Sequence, residues 1–524
     1  MSEAVNMDKP EVLIVGGGAA GSVFAAHLAQ QDRSVVIFEA GDERKKEELY
    51  SSQVWARRLK NVEQPTPFIA DDPGLRLNRG EGTGGTALHH YAIWPRYHPE
   101  DFFEHSQYGK AMDWPIGYED LRLHYDRIQK EVGIAGDAVA EKWRPQGEPY
   151  PLPPVLLSEH GRTIARGFEK LDMHTAPLPM AVLTRPYNGR DACLWDGWCD
   201  AGCPTGALAN PLVTYLPIAT KAGAQIKTNV RVSKLIIDNT TEKVLGVEYF
   251  ENGERKEQYA DLVILSAFVV ENVRILLNSR MPGTDYSVGN KHDLVGRYLM
   301  THPSLLFTAL FEGEDIQNYL GTTGGQLLCQ DAYDKIGKHK GFGSRQWNIA
   351  MAVKPNDIIG LGMSRSHIFG KALQDFMQKA AHGMGNMIGM VEDQPVWENR
   401  IELSGEKDAN GVPAVHTNYR VTKDALLLIE NMRKEGHEVL KLAGSNDVME
   451  SQIFSQHMMG GTIMGSNESN SVADSFGRVH GMRNLYIGGA SLFPTSSCVN
   501  STYTIHALAD RSARFISKNW SQIV

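Results

Sequence analysis

The stretch VLIVGGGAAGSVFAAHLAQQDRSVVIFEAG, from Val12 to Gly41, decides the fold. It opens with a short apolar β-type run, Val12-Leu13-Ile14-Val15. Gly16, Gly18 and Gly21 follow in G-x-G-x-x-G spacing. An alanine-rich helical stretch comes next, then a second apolar strand, Val35 to Phe38, ending at Glu39. Each glycine has a task. Gly16 allows the tight turn, Gly18 lets the backbone approach a pyrophosphate, and Gly21 lets helix and strand pack closely. The helix N-terminus offers unpaired N–H groups and a positive dipole end to the phosphates. Glu39 comes eighteen residues after Gly21, near the spacing of a carboxylate that accepts a ribose hydroxyl. Strand, turn, helix, strand and acid in this order predict a Rossmann-like dinucleotide site. The motif alone does not separate FAD from NAD.

At 524 residues the chain is long for one domain, so two intimately joined domains are expected. Composition is that of a globular protein, 42% apolar and 22% charged. The net charge of -9 and the lack of a Lys/Arg block argue against a nucleic-acid surface. No apolar run approaches the roughly 18 residues of a membrane span. The first strand begins about ten residues in, which leaves no room for a signal peptide. Taken alone, that reads as cytoplasmic; it leaves open export of the folded chain with a partner that carries the signal. Of the five cysteines, Cys193, Cys199, Cys203, Cys329 and Cys498, three fall within eleven residues. Such clustering points to a metal or redox site, not a disulfide framework.

After Gly41 the pattern turns polar and helical around Glu43 to Leu49. In NRGEGTGGTALHHYAIWPR, Asn78 to Arg96, Gly80, Gly82, Gly84 and Gly85 form a backbone patch that can approach a flat or charged ligand. DWPIGYEDLRLHYDRIQKEVGI, from Asp113, reads as a turn and an amphipathic helix. NRIELSGEKDANGVPAVHTNYRVT, from Asn399, reads as a β-hairpin of a second domain with Asn410-Gly411 at its turn.

The fingerprint, the GTGGTALHH run and the WPI-x-YEDL-x-x-x-Y segment together resemble the glucose–methanol–choline oxidoreductases, flavoproteins that oxidise alcohols. The resemblance continues through VRVSKLI at Val230, VILSAF-VVENVRILLNS at Val263, VGRYLMTHP at Val295 and the C-terminal block from Asn484 to Arg511. It implies an α/β fold with a discontinuous Rossmann-like FAD-binding domain and an α+β substrate domain built on an antiparallel sheet. Residues 8–300 would form the first part of the FAD domain and contain the cysteine segment 185–210. Residues 301–445 would form the substrate domain, and 446–524 would complete the FAD domain and the active site. Phe268 departs from the family, where a small residue is common. Residues 305–395 carry no readable pattern.

Oxidising an alcohol requires a base for the hydroxyl proton and an acceptor for the hydride, and histidine suits the first task. By resemblance, His457 in SQHMMGGTIMG is the base. Asn500 in VNSTYT takes the second active-site position and hydrogen-bonds the substrate oxygen. The same resemblance makes Gly16, Gly18, Gly21, Glu39, Gly84, Gly85, Val232, Ala490 and Thr502 contacts of FAD. His89 lies beside the flavin, bonded to it covalently in some relatives and not in others.

Cys193-x5-Cys199-x3-Cys203-Pro204 offers three soft thiolates in a turn-rich segment, with no nearby histidine as a fourth ligand. This segment resembles the large subunits of bacterial membrane-associated, FAD-dependent sugar dehydrogenases, and that implies a [3Fe-4S] cluster on Cys193, Cys199 and Cys203. It further implies a sugar or polyol substrate and two partners, a small subunit with a twin-arginine signal and a multihaem cytochrome c. Co-export would make the location periplasmic, with membrane association only through those partners; a lone cytoplasmic enzyme is the alternative. Cys329 and Cys498 read as buried thiols. Two rivals stand beside this reading: an oxidase using dioxygen, and a flavin electron-transfer subunit with no substrate of its own. An NAD(P)H-linked reductase would need a second nucleotide fingerprint, and none is present.

Overall fold

The computed structural model describes residues 9–60, 68–70, 79–337 and 340–524. Val12–Val15 is buried at all four positions and forms the middle strand of a five-stranded parallel sheet. Val35–Phe38 pairs on one side of it and Leu262–Leu265 on the other, both parallel. Gln225–Lys227 lies beyond Val35–Phe38, and Leu485–Ile487 closes the opposite edge. Runs of Val, Ile and Leu with no polar alternation suit a parallel sheet covered on both faces. Each such side chain contributes roughly 1.5–3 kcal/mol by burial. Helix Ala19–Ala29 presents alanines and Gly21 to the sheet and packs against the C-terminal helix Thr502–Lys518. Leu485–Ile487 and Thr502–Lys518 therefore pack onto the N-terminal unit.

The second layer is a seven-stranded sheet. Its central strands are the long Met300–Leu310, then Met384–Val391 and Arg345–Ile349, paired antiparallel. Asp447–Glu450 and Phe454–Met459 pair with Met300–Leu310 on its other side, and Ala176–Pro177 joins at the far edge through Leu327–Cys329. Segments on both sides of 301–445 thus contribute to it. Helix Lys423–Ala443 covers the sheet with Leu428, Ile429, Met432, Gly436, Val439 and Leu440, spaced three and four apart. A Cβ at Gly436 would stand 2.8 Å from both Phe307 and Trp347, so glycine sets how closely this helix approaches. Thr422 caps the helix by accepting from the Ala425 N–H at 3.3 Å.

Helix Tyr118–Val132 forms as read, burying Tyr118, Leu121, Tyr125, Ile128 and Val132. Two readings need correction. The polar stretch Glu43 to Leu49 contains only one 3₁₀ turn, Lys46–Glu48, because it has no apolar stripe whose burial would hold a longer helix. The hairpin Arg400–Lys407 with Pro413–Asn418 forms, and Gly411 turns it with φ +76°, but it does not join the antiparallel sheet. It pairs with Phe68–Ala70 in a separate three-stranded sheet and packs on helix Phe268–Leu277. Buried Arg274 of that helix binds the hairpin's Pro413 carbonyl at 2.8 Å and Asp408 at 2.7 Å, satisfying its charge. Asn78 lies outside the described residues.

Candidate active site

A cavity of about 450 Å³ takes its walls from both sheets. Gly16, Gly18, Glu39, Gly85, His89, Val232, Ala490, Thr502, His457 and Asn500 all line it. Gly21 and Gly84 stand just behind. A Cβ at Gly21 would lie 2.0 Å from the Gly16 carbonyl, and the Gly84 N–H donates to the Gly17 carbonyl at 3.1 Å. Gly16 has φ +101°, and a Cβ there would meet the Ser266 carbonyl at 2.4 Å, so only glycine makes this turn.

The nucleotide end fits FAD on three observations. A Cβ at Gly18 would point into open space, leaving the backbone bare to a ligand. The Glu39 carboxylate is held by N–H groups of Gly17, Gly41 and Gly82 at 3.0, 3.1 and 3.0 Å. A carboxylate has about four acceptor positions, so one stays open to a ribose hydroxyl. Burial raises its pKa, and the three N–H groups oppose that. Buried His89 lines the cavity with no partner at Nε2, and burial takes its pKa down to about 3, so the ring beside the cavity is uncharged. Phe268 lines the same cavity at φ +75°, a costly conformation for a bulky side chain.

His457 owes its direction to a β-bulge. Phe454–Met459 pairs with Met300–Leu310 so that Gln456 faces His302 and Met459 faces Met300, one residue too many on the His457 side. His457 takes up the excess with φ +51°. Its Nδ1 lies 2.8 Å from Nδ1 of buried His302, and His302 Nε2 lies 3.1 Å from the Ser496 carbonyl. A carbonyl only accepts, so the His302 proton sits on Nε2. Its Nδ1 must then accept, and His457 donates from Nδ1. That leaves His457 Nε2 unprotonated at the cavity, accepting a long hydrogen bond from Asn500 Nδ2 at 3.4 Å. Burial, then the neighbouring His302, bring His457 down to about 3, and burial brings His302 to about 4. Both rings are neutral near pH 7.

Asn500 is oriented the same way. Gln330 donates to Gln346 Oε1 at 3.0 Å, and Gln346 donates to Asn500 Oδ1 at 3.0 Å. The Asn500 amide therefore turns its N–H toward His457. His302 and Gln346 were not singled out from the sequence. His302 lies in the VGRYLMTHP block, and its place in that block is the one signal that could have marked it.

The three clustered cysteines stand behind the wall. Cys193 Sγ accepts the Trp195 N–H at 3.3 Å, Cys199 Sγ the Thr323 N–H at 3.4 Å, and Cys203 Sγ the Leu208 N–H at 3.3 Å. Burial pushes the Cys193 thiol up to about 12 and Cys199 higher, and the sulfurs add to each other's shift. Such thiols ionise when a cation arrives, and the N–H groups then stabilise the sulfur charge. Among the described residues the three sulfurs do not all lie within 4.8 Å of one another, farther apart than one zinc ion spans at 2.3 Å per bond. Three soft sulfur donors are the chemistry that an iron–sulfur cluster takes. Thr323 adjoins Gly324, a cavity residue, and cavity residue Lys60 binds Asp200, the neighbour of Cys199, at 2.6 Å. Cys329 and Cys498 are buried and free.

Residues 171–304 and 395–509 match the two family models of GMC oxidoreductase, and 14–43 match an NAD(P)-binding Rossmann-like domain. The chain is 28% identical to the 2-methyl-1,2-propanediol dehydrogenase of Mycolicibacterium austroafricanum, over 99% of this chain and 97% of the relative. It is 26% identical to the fructose dehydrogenase large subunit of Gluconobacter japonicus, over 98% of each. Among solved structures, pyridoxine 4-oxidase from Mesorbium loti shares the fold with a TM-score of 0.65 at 17% identity, covering 97% of this chain and 99% of that one.

Proposed function

The chain belongs to the GMC oxidoreductases, flavin-dependent enzymes of alcohol and sugar hydroxyls, and on that premise we propose that it is the catalytic subunit of a sugar or polyol dehydrogenase. The observation that carries this reading is the unprotonated Nε2 of His457 paired with the Asn500 N–H, in the cavity that Gly18 and Glu39 enter from the nucleotide end.

Bound FAD supplies the hydride acceptor. The substrate hydroxyl enters between His457 and Asn500. His457 Nε2 takes its proton, and the Asn500 N–H steadies the oxygen as charge develops there. His302 keeps the base in the accepting tautomer and receives the hydrogen bond that strengthens when His457 becomes charged. Asn500, His302 and Gln346 are buried, so these contacts act in a lowered dielectric. His89, which lines the cavity, would pack beside the flavin, covalently or not.

Cys193, Cys199 and Cys203 hold a [3Fe-4S] cluster in this reading, and the cluster supplies one-electron transfer. Its chemical rationale is that reduced flavin holds two electrons whereas a cytochrome haem takes one. The N–H groups on all three sulfurs and the one-residue step from Thr323 to the cavity support it. A relative named as a large subunit supports partner subunits, here a small twin-arginine-signal subunit and a multihaem cytochrome c. No helix among the described residues is long and apolar enough to cross a membrane. In this reading the location is periplasmic by co-export, with a cytoplasmic enzyme as the alternative.

The test is anaerobic flavin reduction across a library of sugars and polyols. At least one should bleach wild-type flavin, and His457→Ala should keep FAD but lose the bleaching about 10²-fold or more. Near-wild-type reduction by that variant would sink the assignment.

A further inference from the structure

Tyr97 and His98 are neighbours in sequence, and they take hold of the active-site hydrogen bonds at two separate places. The Tyr97 hydroxyl donates to the Ser496 carbonyl at 2.6 Å, the same oxygen that receives His302 Nε2 at 3.1 Å. His98 Nε2 lies 3.3 Å from Gln330 Oε1. Gln330 leads through Gln346 to Asn500, with 3.0 Å at each step. The bonds therefore run in a line from Ser496 through His302, His457, Asn500, Gln346 and Gln330 to His98, and both ends come back to one dipeptide. Tyr97, His98, His302, Gln330, Gln346 and Asn500 are all buried.

The Ser496 carbonyl sets the polarity of the line. It can only accept, so His302 donates to it and accepts from His457, and His457 in turn accepts from Asn500. An amide whose N–H is used on one side turns its oxygen to the other, so Gln346 donates to Asn500 and Gln330 to Gln346. Gln330 Oε1 then needs a donor, and His98 Nε2 is the group that faces it. The His98 ring is held in place for this. It lies flat on Tyr333, with centroids 3.7 Å apart at 12°, and its backbone N–H donates to Asp101 Oδ2 at 2.7 Å. Asp101 also accepts the Tyr333 hydroxyl, at 2.5 Å, so ring and backbone share one anchor.

We infer that His98 is a positioning residue for the reaction: its Nε2–H donates to Gln330 and so fixes, through Gln346, which way the Asn500 amide faces. This rests on the function proposed above. Without that donor the two glutamine amides can turn over. Asn500 then presents its oxygen, in place of its N–H, to His457 Nε2 and to the substrate oxygen on which charge develops.

The experiment uses the FAD-loaded enzyme in anaerobic stopped flow with D-glucose, D-fructose, D-sorbitol and propane-1,2-diol. His98→Phe keeps a ring to stack on Tyr333 and removes the donor. His98→Gln gives up the ring and keeps an N–H at the ε position. The limiting rate of flavin reduction should fall about tenfold in His98→Phe and return to within about threefold of wild type in His98→Gln. FAD content and the half-saturating substrate concentration should change little in either. A residue that only packs gives the reverse order, and that order would overturn the inference, as would equal losses in both variants. In an Asn500→Ala background His98→Phe should cost nothing further, because its path to the substrate is gone; a second tenfold loss there would also overturn the inference. Should His98→Phe fail to fold, His98→Leu takes its place against His98→Gln. Nitrogen NMR of the histidine-labelled enzyme reads the polarity without substrate. The His98 ring, identified by its absence from His98→Gln, should carry a proton at Nε2, and an unprotonated Nε2 would overturn the inference. Wild-type flavin that none of the compounds reduces would count against the underlying function instead, a result distinct from the proton position at His98.

Discussion

His302 and His457 meet through their Nδ1 atoms at 2.8 Å, and a single proton lies between them. The Ser496 carbonyl at the other end of His302 decides which ring holds it. His302 acts through His457 and is a positioning residue. His302→Leu removes the acceptor, so His457 loses its enforced tautomer, and flavin reduction should fall about 10²-fold with little change in substrate affinity. His302→Asn keeps an acceptor at the δ position and should recover most of the rate. Equal rates in the two variants, measured by stopped flow with melting curves alongside, would show that His302 only fills space.

The same pair predicts a pH dependence. Unfolded, both histidines titrate near 6.5; folded, they sit near 3 and 4. The unfolded chain thus binds more protons below 6.5, so their contribution to stability is full above that pH and is lost as pH falls toward 4. For His302 the loss between pH 7 and 5 is about 2 kcal/mol. Asp393, raised by burial to about 6, works in the opposite direction across pH 4 to 6. Urea melts at pH 7 and pH 5 should therefore differ less in His302→Leu than in wild type. An identical difference in both would refute the shift.

Backbone strain at His457 can be read separately from its chemistry. A non-glycine residue at φ +51° costs free energy that asparagine tolerates better. His457→Asn should abolish flavin reduction yet unfold at the same temperature as wild type or higher. A clearly lower melting temperature would mean that the His302 contact outweighs the strain.

Cys199→Ser replaces a soft thiolate with a hard, mostly protonated hydroxyl and should prevent iron binding. FAD binding and single-turnover flavin reduction should survive, because Cys199 does not line the cavity. Cytochrome reduction should fall by orders of magnitude, and the low-temperature paramagnetic signal of a three-iron cluster should vanish. Absence of iron from anaerobically purified wild type would end the cluster reading. A melting curve separates a broken relay from a broken fold.

The nucleotide half was legible because its information is local. The glycine spacing, the apolar strands and Glu39 fall within thirty residues, and each acts on its near neighbours in sequence. His457 was legible only through its motif. His302 and Gln346 were not, since their roles depend on strand register: Gln346 gains its role from Asn500, 154 residues away, and His302 from a bulge on another strand. The hairpin illustrates the limit. Its turn residues announced the turn, but its packing surface was chosen by buried Arg274, which no local pattern connects to it.

The parallel sheet gains its edge strand Leu485–Ile487, and its first helix gains its covering helix Thr502–Lys518, from the end of the chain. On the ribosome, the fingerprint emerges first and waits while more than four hundred residues are synthesised. Until then helix Ala19–Ala29 has one bare flank and the sheet an open edge, a state suited to chaperones and poorly suited to holding a dinucleotide. Cofactor capture is therefore tied to the synthesis of residues 485–518. A nascent chain stalled short of residue 485 should emerge without flavin, however long it is given to bind.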